Sequence, residues 1–127
     1  MTFAADVQAA LKAALPTTWK VDGYVPIGAR VDRLTVGVWT TEITHGEGAL
    51  AGAYVVGYTV TLYTPHQDPA KADAALDPAL EQLLEALWTI PDVVLDKGER
   101  QVSNDQTTHV WSLTVRQGIT ITSTPEA

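Results

Sequence analysis

The sequence predicts a two-layer α+β fold in which two helices pack on one face of a mainly antiparallel β-sheet. Two stretches repeat apolar residues at steps of three and four, as a helix that covers a core does. Several other stretches alternate apolar and polar residues, as half-buried strands do. The predicted order is α-β-β-β-α-β-β, and its short links between neighbouring strands favour antiparallel pairing. The 127 residues fit one domain, which we expect to span residues 1–127.

The helix predicted over residues 68–90 organises the rest of the chain. Asp68 followed by Pro69 is a strong start signal, because the carboxylate can accept from free backbone N–H groups and proline suits the first helical position. Pro91 ends the helix. Pro78 lies inside it, where a proline costs about 3 kcal/mol. Either the helix kinks one turn earlier or two helices meet there, and the unbroken phase of the apolar face favours the kink.

Proline, glycine and alternation set the expected bounds of the other elements. A first helix capped by Thr2 ends before Pro16, with one side formed by Phe3, Val7, Ala10, Leu11, Ala14 and Leu15. Val25 begins a loop that ends at Arg33. Strands are expected over residues 17–24, 34–44, 53–64, 93–95 and 107–115.

Three further signals concern the links between the strands. Residues 45–52 contain three glycines among small residues, which predicts the tip of a long hairpin. Lys97-Gly98 and Asn104-Asp105 are turn signals that leave the end of the fourth strand open. Gly118 predicts a β-bulge, after which the last strand continues to residue 122.

The charge and composition exclude several classes of protein. A net charge of −7 and a pI near 4.7 leave no basic face to bind nucleic acid through its phosphates. The absence of cysteine excludes disulfides and thiolate zinc sites. No apolar run is long enough for a membrane span, and the start lacks the pattern of a signal peptide, so we expect synthesis and folding in the cytoplasm.

The share of charged residues is low for a small chain. It is 18%, against about 25% in typical globular proteins, while hydrophobic residues reach 46%. Two explanations remain open: part of the surface is buried in an assembly, or threonine-rich strand faces meet the solvent.

The residues that usually carry chemistry form no recognised pattern. His66, Asp68 and Asp73 could hold a metal, but the role of Asp68 as a helix cap explains it better. The serines lack the turn that exposes a nucleophile, and the glycines near residue 50 lack the lysine of a phosphate-binding loop. Glu81 and Glu85 fit a solvated helix face. We therefore expect no catalytic, cofactor or metal site, and no enzyme.

Two stretches carry a resemblance to a known family. TFAADVQAALKAALPTTWKV at residues 2–21 and LYTPHQDPAKADAALDPALEQLLEALWTIP at residues 62–91 resemble tail terminator (tail-completion) proteins of long-tailed phages of actinobacteria. The order of the elements also matches that family. Pro78 inside the second helix departs from the family pattern, so the resemblance does not predict a straight helix there.

The resemblance implies a structural virion protein at the junction of tail and neck. Such a protein forms a hexameric ring that caps the tail tube, ends tube polymerisation and joins the tail to the head. Its partners would be further copies of itself, the tail tube protein and head–tail connector or neck proteins, while DNA passes through the lumen without specific binding. The alternatives are another neck component (a head-completion or head–tail joining protein) and a small acidic ligand-binding domain or enzyme.

Under this interpretation the strand edges and the 45–52 link are the expected contact surfaces. We expect deletion of residues 46–51 to leave the monomer folded but to weaken ring formation. The candidate contact residues are Trp39, His45, Gly46, Glu47, Gly48, Leu50 and Tyr54.

Overall fold

The computed structural model describes residues 3–26, 30–45, 53–103 and 108–120, and it has the predicted two-layer α+β fold. The elements follow the predicted order along the chain. They are α1 (Phe3–Ala14), β1 (Lys20–Asp22), β2 (Thr35–His45), β3 (Ala53–Tyr63), α2 (Pro69–Trp88), β4 (Val93–Val102) and β5 (His109–Thr120).

The five strands form one sheet in the order β1-β2-β3-β5-β4. Strand β1 runs parallel to β2, and the other three neighbouring pairs are antiparallel. The two edge strands are therefore β1 and β4. Helix α1 packs over β1 and β2, while α2 packs over β3 and β5.

The core lies between the helices and one face of the sheet. On β3 the predicted alternation is confirmed, because Val56, Tyr58, Val60 and Leu62 are all fully buried. Val7 and Leu11 of α1 and four leucines of α2 and β5 meet them. Those leucines are Leu76, Leu83, Leu87 and Leu113. Ala14, predicted on the buried side of α1, is exposed because the helix ends there and only Leu15 turns inward.

Helix α2 begins as the sequence predicts. Asp68 is its N-cap and accepts a hydrogen bond from the backbone N–H of Lys71 at 3.1 Å. One continuous helix crosses Pro78, so the alternative of two helices is wrong. Ala74, whose carbonyl loses its partner to the proline, is exposed, and water can therefore bind that oxygen. The kink stays a prediction.

The edge strands differ most from the predicted bounds. Strand β1 is shorter than residues 17–24, and β4 runs through the predicted turn at Lys97-Gly98. Gly98 allows Leu113 to pack closely against β4, since a Cβ at Gly98 would lie 2.6 Å from Leu113 Cδ2. Asn104-Asp105 and the proposed cap Thr2 lie outside the described residues.

The bulge predicted at Gly118 is also wrong. Gly118 pairs in regular register with Val55, and β5 continues through it. The register shifts instead lie between Thr40 and Glu42 in the β2–β3 pair and between Leu95 and Lys97 in the β4–β5 pair. On the helix side of β5, His109, Leu113 and Val115 are buried and Trp111 is half-buried, as the alternation over residues 107–115 indicates.

Candidate subunit interface

Trp39, the first predicted contact residue, lies on the sheet face away from the helices. It is half-buried, and its ring meets that of Tyr24 edge to face, with centroids 4.9 Å apart and planes at 84°. Tyr24 follows edge strand β1 and is 67% exposed. The sequence did not single out Tyr24, because its partner in the sheet is known only from the pairing of β1 with β2.

His45 and Tyr54 form a second aromatic pair, at the end of β2 and the start of β3. They are register partners, and their rings stack with centroids 5.0 Å apart. Tyr54 lies five residues along β3 from Thr59, the register partner of Trp39, which is about 17 Å, so the structure does not bring all three together. The other predicted contact residues, Gly46, Glu47, Gly48 and Leu50, lie outside the described residues. Their contact role stays a prediction.

An apolar groove that sequence reasoning missed lies between the end of α2 and the start of β4. We call it the β4 groove, and its volume is about 420 Å³. Trp88 stands beside it with 82% of its surface exposed, and the side chains of Val94 and Leu95 are also exposed. Its lining residues are Leu84, Leu87, Trp88, Val93, Val94 and Leu95. In the sequence, Trp88 lies at the end of the predicted helix, and only the position of β4 reveals the groove.

The opposite edge of the sheet carries a small cationic surface, where Lys12, Lys20 and Arg33 outnumber Asp22 and Asp32, a local exception to the expectation of no basic face. We call it the α1–β1 corner, and it contains Lys12, Leu15, Pro16, Trp19, Lys20 and Arg33. The ammonium of Lys20 lies 3.4 Å from a carboxylate oxygen of Asp22, and the guanidinium of Arg33 lies 3.2 Å from that of Asp32. The hydrogen bond from Arg33, together with its charge, lowers the pKa of the Asp32 carboxyl. These pairs are exposed and only partly neutralise the corner.

A partly buried polar cluster fixes the start of α2 to β4 and β5. His109 on β5 is 4% exposed, and its Nε2 lies 3.2 Å from the carbonyl oxygen of Gln67. Its Nδ1 lies 3.4 Å from the guanidinium of Arg100, which also pairs with Asp73 at 2.7 Å. Asp73 thus has an ion-pair role. Among the described residues, no group of three His, Asp or Glu side chains is suited to a metal ion. None of the described helices is long and apolar enough to cross a membrane.

Comparisons with known proteins find likeness in structure rather than in sequence. No protein-family profile matches the chain, and no curated protein sequence matches it. A chain from the virion of a native gene transfer agent (GTA) particle superposes with a TM-score of 0.66 at 16% identity, covering 94% of this chain and 96% of the other. The PVC sheath/tube terminator of an extracellular contractile injection system, in its extended state, gives a TM-score of 0.50 at 15% identity. That match covers 97% of this chain and 61% of the terminator, so the chain spans about three fifths of that protein's length. At these identities the likeness shows a shared fold.

Proposed function

We propose that this chain is a tail-completion protein that caps the tube of a phage tail or a tail-like particle. In this proposal it forms a ring at the tail–neck junction, ends tube polymerisation and joins the tail to the head. The observation that carries the proposal is the fold likeness, over nearly all of this chain, to a sheath/tube terminator and to a virion chain. The resemblance of residues 62–91 to tail terminators of actinobacteriophages supports the finer assignment to a long-tailed phage of that group.

The surfaces of the molecule support assembly into a ring. The β4 groove and the α1–β1 corner lie at opposite edges of the sheet, and contact between two different surfaces can generate a closed ring. An exposed tryptophan beside an apolar groove is typical of a contact surface. The described residues share one main core, in keeping with a single domain over residues 1–127. The role is structural and requires no cofactor.

Another neck component is the second candidate. The match to the virion chain covers 96% of that chain, against 61% for the terminator, and the name of the particle fits any position in a virion. A head-completion or head–tail joining protein would bind the portal end of filled heads instead of the ends of tail tubes. The same exposed groove would then serve a contact with a different ring.

The experiment that tests the proposal uses tail tubes from the particle whose genome encodes this chain. Purified tube protein is polymerised with and without the chain, and tube lengths and end density are recorded by electron microscopy. We expect shorter tubes with a ring at one end in the micrographs. Light scattering should show the chain as a ring-sized species, or as a monomer that forms a ring only when tubes are present. Unchanged tube lengths together with binding to filled heads would transfer the assignment to the neck component.

A further inference from the structure

We propose that copies of this chain join head to tail, with the α1–β1 corner of one copy seated on the β4 groove of the next. The two surfaces belong to opposite edge strands, so each copy can use both at once. The inference deepens the proposed ring and rests on it. It assigns the occupant of the groove as a second copy of the chain and names the surface of that copy which enters it.

The layering of the fold leaves the groove open. Helix α1 covers β1 and β2 and helix α2 covers β3 and β5, whereas β4 lies at the margin of α2, which it meets at the Arg100–Asp73 ion pair and at the groove. Leu95 faces the helix side, because it pairs with the buried Val115, yet its side chain is exposed. In the next copy α1 lies over β1, so seating the corner there continues the helix layer across β4. Trp19 and Pro16 of the corner would then pack against the exposed side chain of Trp88.

Among the described residues, the charged side chains near the two surfaces that are outside ion pairs are of opposite sign. Four of the eight Lys and Arg residues lie at the β1 edge of the sheet: Lys12 on α1, Lys20 on β1, and Arg30 and Arg33 in the loop after β1. Arg30 shares an adjoining cavity with Lys20 and so extends the α1–β1 corner. On α2, Asp77, Glu81, Leu84 and Trp88 follow one another at steps of four, three and four, so the carboxylates lead along one side of the helix to the groove.

These charges also select the partner surface. Neither Glu81 nor Glu85 is in an ion pair with another described residue, and the same holds for Lys12 and Arg30. A contact between the grooves of two copies, or between their corners, would bring like charges together and oppose association. A corner that meets a groove pairs opposite charges. The arrangement therefore favours the head-to-tail contact over a two-fold dimer.

The test reverses the charges of each surface separately. Variant A carries Lys12→Glu and Arg30→Glu, and variant B carries Glu81→Lys and Glu85→Lys. The control variant carries Asp6→Lys and Glu42→Lys, two exposed acids outside both surfaces. Sedimentation equilibrium at low salt measures self-association, and thermal unfolding confirms that each variant is folded.

We expect A alone and B alone to associate at least about tenfold more weakly than the wild type and the control, because each brings like charges together. An equimolar mixture of A and B should recover wild-type association, since the acidic corner of A fits the basic groove of B while the two unchanged surfaces still fit each other. Association as strong as wild type in A and B, or a mixture that stays weak, would overturn the inference. A wild type that stays monomeric at every concentration yet still caps tubes would overturn it and leave the proposed function standing.

Discussion

Tyr58 places a phenol in the core, fully buried, with its hydroxyl 3.0 Å from Oε1 of Gln117. Burial, and secondarily the negative charge of Asp6, raises the pKa of Tyr58 from 10.0 to about 12. Because the folded pKa lies above the unfolded one, its contribution to stability is complete below pH 10 and is lost as the pH rises through 12. Tyr58→Phe should therefore lose less stability than the wild type across that range, as measured by urea unfolding at stepped pH. Parallel loss in both proteins would contradict this assignment.

Two glycines on the paired strands β4 and β5 make a second residue-scale test. In Gly98→Ala the new Cβ meets Leu113 Cδ2 at 2.6 Å in the core, so we expect a loss of about 1–3 kcal/mol of unfolding free energy. Gly118→Ala is the matched control, because no atom lies within 4 Å of its Cβ position. Urea unfolding of both variants gives the comparison. Equal losses would show that backbone freedom, rather than packing, explains both glycines.

These same glycines show what the sequence could not predict. Gly98 looked like a turn and Gly118 like a bulge, since both interrupt a strand pattern, whereas β4 and β5 run straight through them. A glycine required for close packing depends on a residue that is distant in sequence, here Leu113 for Gly98. Local patterns contain no information about such a contact.

Helix α2 makes the test at the scale of an element. Pro78→Ala restores one backbone donor on the exposed side of the helix and should stabilise the fold by up to about 3 kcal/mol, read as a rise in the urea midpoint. Pro69→Ala is the control, since the first helical position needs no donor and should change little. If Pro78→Ala gave no gain, the bend expected at the proline would be part of how α2 fits the sheet.

The elements that the sequence predicted well are those with one buried face. Helix α2 and strand β3 repeat apolar residues at their own periods, and both were placed within about one or two residues. Strand β4 could not be placed that way, because an edge strand with no helix over it is exposed along most of its length and shows no alternation. The β4 groove depends on that strand, so it was not predictable either. Trp39 could be singled out from the sequence as an aromatic contact candidate, but its ring partner Tyr24 could not.

At the scale of the whole molecule, charge sets how the proposed ring would interact with DNA. The net charge is −7, and outside the β1 edge the remaining cations are Lys71, Lys97, Arg100 and Arg116. Three of these four are in ion pairs, Lys97 with Glu99, Arg100 with Asp73 and Arg116 with Asp96. In a head-to-tail ring the β1 edge faces the next copy, which leaves few cations for phosphates. If the lumen of the proposed ring is acidic, it would repel DNA and let it pass without binding.

The prediction is that the chain, alone or on tube ends, does not retard duplex DNA in gels even at low salt, where counterion release would favour binding most. Variant B, with Glu81→Lys and Glu85→Lys, adds four units of positive charge beside the groove and is the sensitive comparison, because it should begin to retard DNA as salt is lowered. Salt-dependent retardation by the wild type would overturn the argument, since it would require a basic surface that faces the DNA. A cryo-EM ring whose lumen is lined mainly by Lys and Arg would do the same. Retardation confined to variant B would show that the native balance of charge keeps the protein off DNA.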